Sequence, residues 1–578
     1  MEWKERTIHD PTIIESLSNE LNSLPESLTR VLILRGINSF ETARKYFRET
    51  AQELLDPHML ADIDLAAQRI VQAINERERV LVYGDFDADG VTSTAILLKF
   101  LQSHGVETEY YIPHRQEENH GFHESGVNHA QATKCSLIIV VDCGTNDEQT
   151  AELVKQLGIN LIICDHHEND GSEPVCHAHV NPNQARCAYP NKEISACALA
   201  FKIIQVTLET LGKPIEIADQ YLDLVAISTV CDIMPLVGEN RILVREGLQV
   251  LSSSNHPAIK ALIACSKNLN QKCIKASDIG MQLGPRLNAA GRMSHAQEAL
   301  HLLMADIDAD AHDLAQRLDA LNNARRAEGA KLRPKAKKLA TVQLSGQYTN
   351  ALVLHHPEWH PGILGMAASK IVEEFRVPTV ILTDVPNSDG SQIFGSARTF
   401  GEIHILNALT SCQDVLIRFG GHAKAAGLTL NKEDLPLFKE SLNAEVSKQS
   451  GDQTIAPLLE YDAELKLADI PGKFQRVLNL CEPFGKSNES PLFMIENLLP
   501  TSVKLLSSGQ HLKMDVQSTD NTIKINAIGF GMASHYQTVE DARIQKTTVD
   551  ILCHVEENYW KGKTNTQLRF IALRAHPN

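Results

Sequence analysis

Four apolar runs between residues 79 and 231 deliver acids or imidazoles at one place, their C-terminal ends. RVLVYG (79–84) runs into Asp85, SLIIVV (136–141) into Asp142, INLIIC (159–164) into Asp165-His166-His167, and YLDLVAISTV (221–230) into Cys231-Asp232. The first three are apolar almost throughout and too short for helices, so they read as buried strands, whereas the last reads as a helix. VTSTAILLKFLQSHG, DEQTAELVKQLG and ALAFKIIQVTLETLG, between or after them, have helical spacing. Such alternation predicts an α/β architecture, a parallel sheet with helices on both faces. Ligands of such sheets bind beyond the C-terminal strand ends.

GDFDADG places Asp85, Asp87 and Asp89 within five residues, with Gly90 at the start of the next helix. Three carboxylates so close repel one another unless a cation neutralises them. Taken singly, an Asp after a strand is often a helix N-cap, and a His-His pair recurs at His355-His356. Repetition at successive ends is what points to metal. Oxygen ligands mixed with one or two imidazoles suit Mn²⁺ or Mg²⁺, with Zn²⁺ or Co²⁺ as further options. The ligands outnumber the needs of one ion, so two ions sharing a bridging carboxylate are expected, the layout of metal-assisted phosphoryl hydrolysis. Cys164, Cys176, His177, His179 and Cys187 lie near the same edge, but their spacing fits no structural zinc pattern.

The rest of the chain divides by pattern. Residues 1–55 look helical and carry no evident chemistry. A helical stretch over 296–342 should kink or break at Pro334. A second α/β segment follows, with ALVLHH and PTVILTD as strands, and beyond about residue 457 the alternation is that of a small β-barrel. The expected parts are a helical segment (1–55), an α/β domain carrying the acids (56–295), a basic connecting helix (296–342), a second α/β domain (343–450) and a β-barrel (455–578). FGKSN at 484–488 ends like a phosphate-binding loop, yet Leu480 stands where its first glycine belongs.

The 578 residues have a formal charge of −17, which argues at first against a nucleic-acid partner. Between Asp313 and Val342, however, eight cations face only Asp313, Asp319 and Glu328: Arg317, Arg325, Arg326, Lys331, Arg333, Lys335, Lys337 and Lys338. A solvated helix face is the plain reading of that stripe, and a contact for a polyanion is the functional one. Twelve cysteines without a CxxC pair fit a reducing compartment. The opening MEWKERTIHDPTIIESL lacks the layout of a signal peptide and no apolar run reaches membrane-spanning length, so a soluble cytoplasmic protein is expected.

GDFDADG, VVDCG, CDHH and STVCDIMPL stand in the order and spacing of the DHH phosphoesterases. IPHRQEE, HVNPNQ, GPRLNAAGRM, HHPEWHPGILGMAASKI, GSARTF and FGGHAKAAGLTL resemble the RecJ branch of that family, from about residue 56 to near the C-terminus. The resemblance implies a parallel-sheet DHH domain, a second α/β domain of DHHA1 type joined by a long helix, and an OB-like β-barrel at the C-terminus. It assigns metal-ligand positions to Asp87, Asp89, Asp142, His166 and Asp232, with Asp85 an additional acid and His167 a ligand or proton donor; Asp142, His166 and His167 are the catalytic group. It implies degradation of single-stranded DNA from the 5′ end to 5′-mononucleotides with Mn²⁺ or Mg²⁺. Recombinational and mismatch repair are the implied settings, with single-strand-binding protein and a RecQ-type helicase as partners of a monomer.

The later motifs read as the grip on that strand. Ser396 and Arg398 of GSARTF offer a hydroxyl and a guanidinium to a phosphate. Gly420, Gly421 and His422 form a tight turn allowing close backbone approach. Arg286, Asn288 and Arg292 come from GPRLNAAGRM, where a structural ion pair is the alternative for either arginine. Tyr536, Tyr559, Trp560 and Phe570 are candidate base stackers, with a core place the better expectation for Phe570. Three departures stand out: Asn119-His120-Gly121-Phe122 replaces the usual GYGL, Cys143 replaces an Asn, and Cys231 sits where Ala is common. They bear on rate, metal preference and thiol sensitivity. The rival readings are an enzyme cleaving short oligonucleotides or cyclic dinucleotides, a pyrophosphatase, and a catalytically dead binding scaffold. The long basic helix and the barrel favour a polymer, and no expected ligand is missing.

Overall fold

The computed structural model describes residues 2–576 apart from 119, 267–268, 347–349, 387–389, 451–457, 507–508, 521 and 561–562. Contacts divide the chain into two units: 55–234 with 246–454, and 1–54 with 235–245 and 455–578.

The first unit opens on the expected parallel sheet. Its strands are β1 (Arg79–Gly84), β2 (Glu107–Tyr111), β3 (Leu137–Val141), β4 (Asn160–Cys164) and β5 (Ala178–Val180), in the order β2-β1-β3-β4-β5. All the pairings are parallel. In β3 every residue is buried, which is why the strand is uniformly apolar. Helices α1 (Ala88–Ser103), α2 (Ala196–Thr210) and α3 (Leu222–Cys231) pack together beside the sheet. On its other face Tyr83, Phe122, Val127, Ile138, Val140 and Ile163 form a second core. Each such side chain contributes about 1.5–3 kcal/mol by leaving water.

After α4 (Gly284–Met293) the expected continuous stretch proves to be two helices, Gln297–Met304 and α5 (Asp308–Leu344). The break comes at 305–307 and not at Pro334, which stands inside α5. Around that proline, Leu332, Ala336 and Ala340 pack into the core of the second sheet, and this tertiary burial outweighs the local cost of the ring. The basic stripe is less bare than its sequence suggests: Lys331, Arg333, Lys335 and Lys337 lie within ion-pair distance of Glu328, Glu374, Glu358 and Glu374 respectively. The second sheet comprises β6 (Leu352–His355), β7 (Thr379–Asp384), β8 (Gln392–Arg398), β9 (Arg418–Gly421) and β10 (Ala425–Asn431), ordered β9-β10-β8-β7-β6, with α6 (Leu364–Phe375) after β6. Only β6 and β7 run parallel.

In the second unit β11 (Phe493–Leu505), β12 (Leu512–Gln517), β13 (Lys524–Gly529), β14 (Val549–Trp560) and β15 (Lys563–Ala575) pair as β11-β12-β13-β15-β14. A further β11–β14 pairing closes the barrel, with α7 (Tyr536–Gln545) packed against it. The N-terminal segment is not an all-helical appendage. Glu2–Glu5 is a strand paired in parallel with Leu458–Tyr461, and Trp3 lies under Arg574 at 4.4 Å. Leu28, Val31 and Leu32 of a nearby helix share one core with Phe474, Phe493 and Met514. A long-range partner fixes these elements, and no local pattern reports one.

The detour 235–245 is stapled into this unit by the buried Arg241. Its guanidinium donates to Glu49 Oε2 at 2.6 Å and to the carbonyls of Tyr46, Leu480 and Glu482, and it lies 4.0 Å from the Tyr46 ring. Truncating a buried charge so held costs about 3–5 kcal/mol.

Candidate metal centre

Every expected ligand except Asp232 leaves the C-terminal edge of the first sheet or the first turn of α1. Asp87 caps that helix, its Oδ1 accepting from the amides of Asp89 (2.8 Å) and Gly90 (3.3 Å). Residue 90 has to be glycine, because a Cβ there would meet the Asp85 backbone at 2.4 Å. Asp89 is buried and held from the far side. Its Oδ1 accepts from Cys197 N (2.9 Å) and Ser228 Oγ (2.6 Å), and its Oδ2 from Ala196 N (2.8 Å) at the start of α2. That helix terminus favours the charged carboxylate. Asn288 Oδ1 accepts from Ala88 N at 3.0 Å, fixing the loop from below.

Asp142 turns off β3 with φ +63°, a conformation of the kind held at functional sites against a local cost. His166 Nε2 points among the acids, 3.1 Å from Asp142 Oδ1, 3.6 Å from Asp232 Oδ2 and 3.7 Å from Asp89 Oδ2. Asp165 faces its own chain instead: Oδ1 accepts from His166 N (2.7 Å), His167 N (3.2 Å) and His167 Nδ1 (2.7 Å), and Oδ2 from Thr145 N (3.0 Å). The HVNPNQ motif finds its use here. Asn181 and Asn183 donate to the carbonyls of His167 (3.0 Å) and His166 (2.6 Å) and so fix the backbone carrying both rings.

Three overlapping triads bring ligand atoms within 4.8 Å of one another: Asp142–His166–His167, Asp89–His166–Asp232, and Asp85–Asp87–Asp142. The electrostatics fit a cation. Burial, then the charges of Asp89, Asp87, Asp85 and Asp232, push the Asp142 carboxyl well above its ordinary range, and Asp89 is raised chiefly by burial. Burial lowers His166 toward the neutral imidazole that ligates metal. Burial would also raise Asp165, but the charge and hydrogen bond of His167 prevail and hold it well below the usual range. The donor set is therefore suited to a hard divalent cation, with Asp142 and His166 shared between triads.

The altered loop adds a third imidazole. His120 Nδ1 lies 3.3 Å from Asp85 Oδ1 and its ring 4.8 Å from that of His167; Asn119 lies outside the described residues. Gly121 O accepts from the Tyr83 hydroxyl at 2.8 Å, and Phe122 packs edge-on against the Tyr83 ring. Burial raises the thiols of Cys143 and Cys231 well out of the reactive range, so both behave as small apolar groups.

Beside the acids stands a cluster of arginines. Arg115 lies over the Phe86 ring at 4.5 Å. Arg292 is brought down to about 9 by burial and by the charges of Arg115, Arg325 and Arg398, against the pull of Asp87. Arg398 is lowered by burial and by Arg115. Glycines make room for them, since a Cβ at residue 362 would meet Arg292 O at 2.0 Å and one at residue 365 would meet Arg398 Nη2 at 2.6 Å. Ser396 Oγ accepts from Arg398 Nη1 at 2.7 Å and orients it. Arg286 is occupied elsewhere, 2.8 Å from Asp319 and donating to the carbonyls of Gln282 and Cys265. Gly421 has φ +142° and His422 is exposed, its amide donating to Ala425 O at 2.8 Å. Arg115 and Asp165 are the members that motif reading did not assign, although both stand inside quoted motifs. In the barrel, Phe570 is buried and Tyr536 half-buried against the core; the side chains of Tyr559 and Trp560 lie outside the described residues.

The chain matches the DHH family, N-terminal domain, over residues 79–229, the DHHA1 domain over 345–448 and the RecJ OB domain over 461–572. It is 32% identical over 560 residues to the single-stranded-DNA-specific exonuclease RecJ of Bacillus subtilis, covering 97% of this chain and 69% of that protein. With the protein of the same description from Salmonella typhimurium it shares 33% identity over 564 residues, 94% of this chain and 95% of the other. It superposes on the crystal structure of RecJ in complex with Mn²⁺ from Thermus thermophilus with a TM-score of 0.80 at 25% identity, covering 100% of this chain and 80% of that one.

Proposed function

Because this chain belongs to the RecJ family of single-stranded-DNA-specific exonucleases, we propose that it removes nucleotides from the 5′ end of single-stranded DNA, releasing 5′-mononucleotides with Mn²⁺ or Mg²⁺. The observation that carries the chemistry is the pairing of a buried carboxylate–imidazole cluster with adjacent arginines that have no acid within ion-pair distance among the described residues. One set suits cations and the other phosphate, so a phosphodiester can bridge them.

Asp85, Asp87, Asp89, Asp142, His166 and Asp232, with His167 at the edge, would hold two ions. Bound there, the ions supply a nucleophile at neutral pH and offset the charge that builds on the phosphoryl oxygens. Arg115, Arg292 and Arg398 hold the flanking phosphates, with Ser396 setting the fork of Arg398. Gly421 and His422 close on the terminal nucleotide. His167, its Nδ1 fixed by Asp165, presents Nε2 for proton transfer to the departing sugar oxygen. Arg286 and Asn288 serve the site by bracing it. The 5′ polarity rests on family membership. So do the placement in recombinational and mismatch repair, the partnership with single-strand-binding protein and a RecQ-type helicase, the monomeric state and the cytoplasmic setting. Among the described residues no helix is long and apolar enough to cross a membrane. The catalytic (56–295), connecting (296–342), substrate-binding (343–450) and barrel (455–578) divisions belong to the same reading.

The test is a nuclease assay with Mn²⁺ on single-stranded DNA labelled at either end, beside duplex DNA, a dinucleotide and a chelator control. Early release of 5′-labelled mononucleotide from the single strand alone, abolished by chelation, is the expected result. Cleavage confined to the dinucleotide, or strand binding without cleavage, would replace this reading with one of the rivals.

A further inference from the structure

Phe530 leaves 58% of its surface exposed, although rings of its size normally go into cores. It stands between two glycines at the end of β13, and the loop is fixed. Gly529 admits no side chain, because a Cβ there would lie 2.3 Å from the Phe570 ring. Gly531 has φ +74°, and its amide donates to His511 Nδ1 at 3.1 Å. His511 then meets Phe530 edge to face, with ring centroids 5.3 Å apart at 74°. Phe530 thus has a second ring against it while most of its surface stays open to solvent.

One cross-strand row beside it is basic, although Asp515 stands two residues from Lys513 on the same outer face. Lys504 pairs in register with Lys513, Lys513 with Ile528, and Ile528 with Arg569, so these side chains form one band across four strands. The band lies on the barrel's outer surface, because the adjacent Met514, Ala527 and Leu568 are buried inside. Arg569 is partly offset by Glu556 at 2.6 Å. Neither Lys504 nor Lys513 has an acid within ion-pair distance among the described residues. Ile528 lies two residues before Phe530, about 7 Å along the strand.

We propose that the Phe530–His511 ring pair, with Lys504 and Lys513, is a nucleobase-stacking subsite for single-stranded nucleic acid on the outer face of the barrel. The exposed ring receives a base, and the two lysines hold the adjoining phosphates. This deepens the single-strand reading above and rests on it. The site needs no sequence preference, since any base offers a π face. It gives a use to an exposed phenylalanine whose flanking glycine is tied to His511, a tie that a ring merely left outside would not require.

Full-length protein in chelator, where no strand is cut, is titrated with a fluorescent thymidine 30-mer. Phe530→Ala should weaken binding roughly tenfold, the scale of one lost base–aromatic stack, with Tm unchanged. Phe530→Tyr should restore affinity and Phe530→Leu should not. Separately, the emission added by Phe530→Trp, taken as the difference from wild type, should be quenched on strand binding. Full affinity in Phe530→Leu would mean an apolar docking surface and overturn the proposal. So would a tryptophan signal that does not change while anisotropy reports a bound strand. Failure of the wild-type protein to bind any single strand would instead sink the exonuclease reading itself, which separates the two.

Discussion

Asp165 spends both of its oxygens on the chain around it, and that makes it a positioning residue. Its Oδ1 gathers the amides of His166 and His167 and the His167 ring. An asparagine keeps the shape but not the charge that orients the imidazole. Partners of this kind change metal affinity or activity by about 10–100-fold when replaced. Asp165→Asn should therefore lose about that much turnover at saturating Mn²⁺ and show weaker Mn²⁺ binding by calorimetry, with Tm within a few degrees of wild type; an unaffected turnover would leave His167 oriented by backbone alone. The candidate cluster was legible chiefly through Asp85, Asp142 and His166, which stand at or one residue beyond strand ends, and a strand end has one direction in which to project. What Asp165 does was not legible, because the sequence does not say which way a carboxylate turns. Arg286 and Arg292 show the same limit. They lie six residues apart in one motif, and at about 100° per residue that puts them on different faces of α4. One pairs with Asp319, and the other stands among Arg115, Arg325 and Arg398 within the field of Asp87.

Helix α3 ends at the metal centre with Asp232 but carries a second acid near its start. Asp223 is buried, and burial raises its pKa to about 6 against the amide of Leu224 and the charge of Lys99. Because the folded value lies above the ordinary 3.8, the folded state holds an extra proton between those two values. Stability falls as pH rises through that window and stays lower above it. At 1.36 kcal/mol per unit the deficit is at most about 3 kcal/mol. Asp223→Asn, which keeps the acceptor for Leu224 N, should match wild type near pH 4 and gain a few degrees in Tm by pH 7; a gap independent of pH would place the effect elsewhere. The elements were largely legible, since parallel strands buried on both faces have to be uniformly apolar. Two were not. Local propensity breaks a helix at Pro334, but Leu332 and Ala336 are packed into a core on either side of it. Glu2–Glu5 has a strand partner more than 450 residues away, which no local window contains.

At the scale of the molecule, a chain of net charge −17 has to bind a polyanion through local cations. Arg115, Arg292 and Arg398 in one unit and Lys504 and Lys513 in the other lack acidic partners among the described residues, whereas half of the basic stripe on α5 lies against glutamates. If these five side chains carry the phosphate contacts, single-strand affinity should fall with salt at a log–log slope of about −0.7 per contact, or about −3.5. Lys504→Ala with Lys513→Ala should bring that slope to about −2.1, because two contacts are gone while the three arginines remain. Reversing the charge of Lys335 and Lys338 together should leave the slope near its wild-type value if the stripe is a solvated, self-paired helix face. Anisotropy titrations between 50 and 400 mM salt in chelator, with no cleavage to distort the equilibrium, read all three slopes. An unchanged slope in the barrel variant, with a reduced one in the stripe variant, would move the strand from the barrel's outer band to the long helix. The acidic remainder then acts against non-specific retention: at physiological ionic strength its field is screened beyond about 8 Å, so only strand within reach of the bare cations is held.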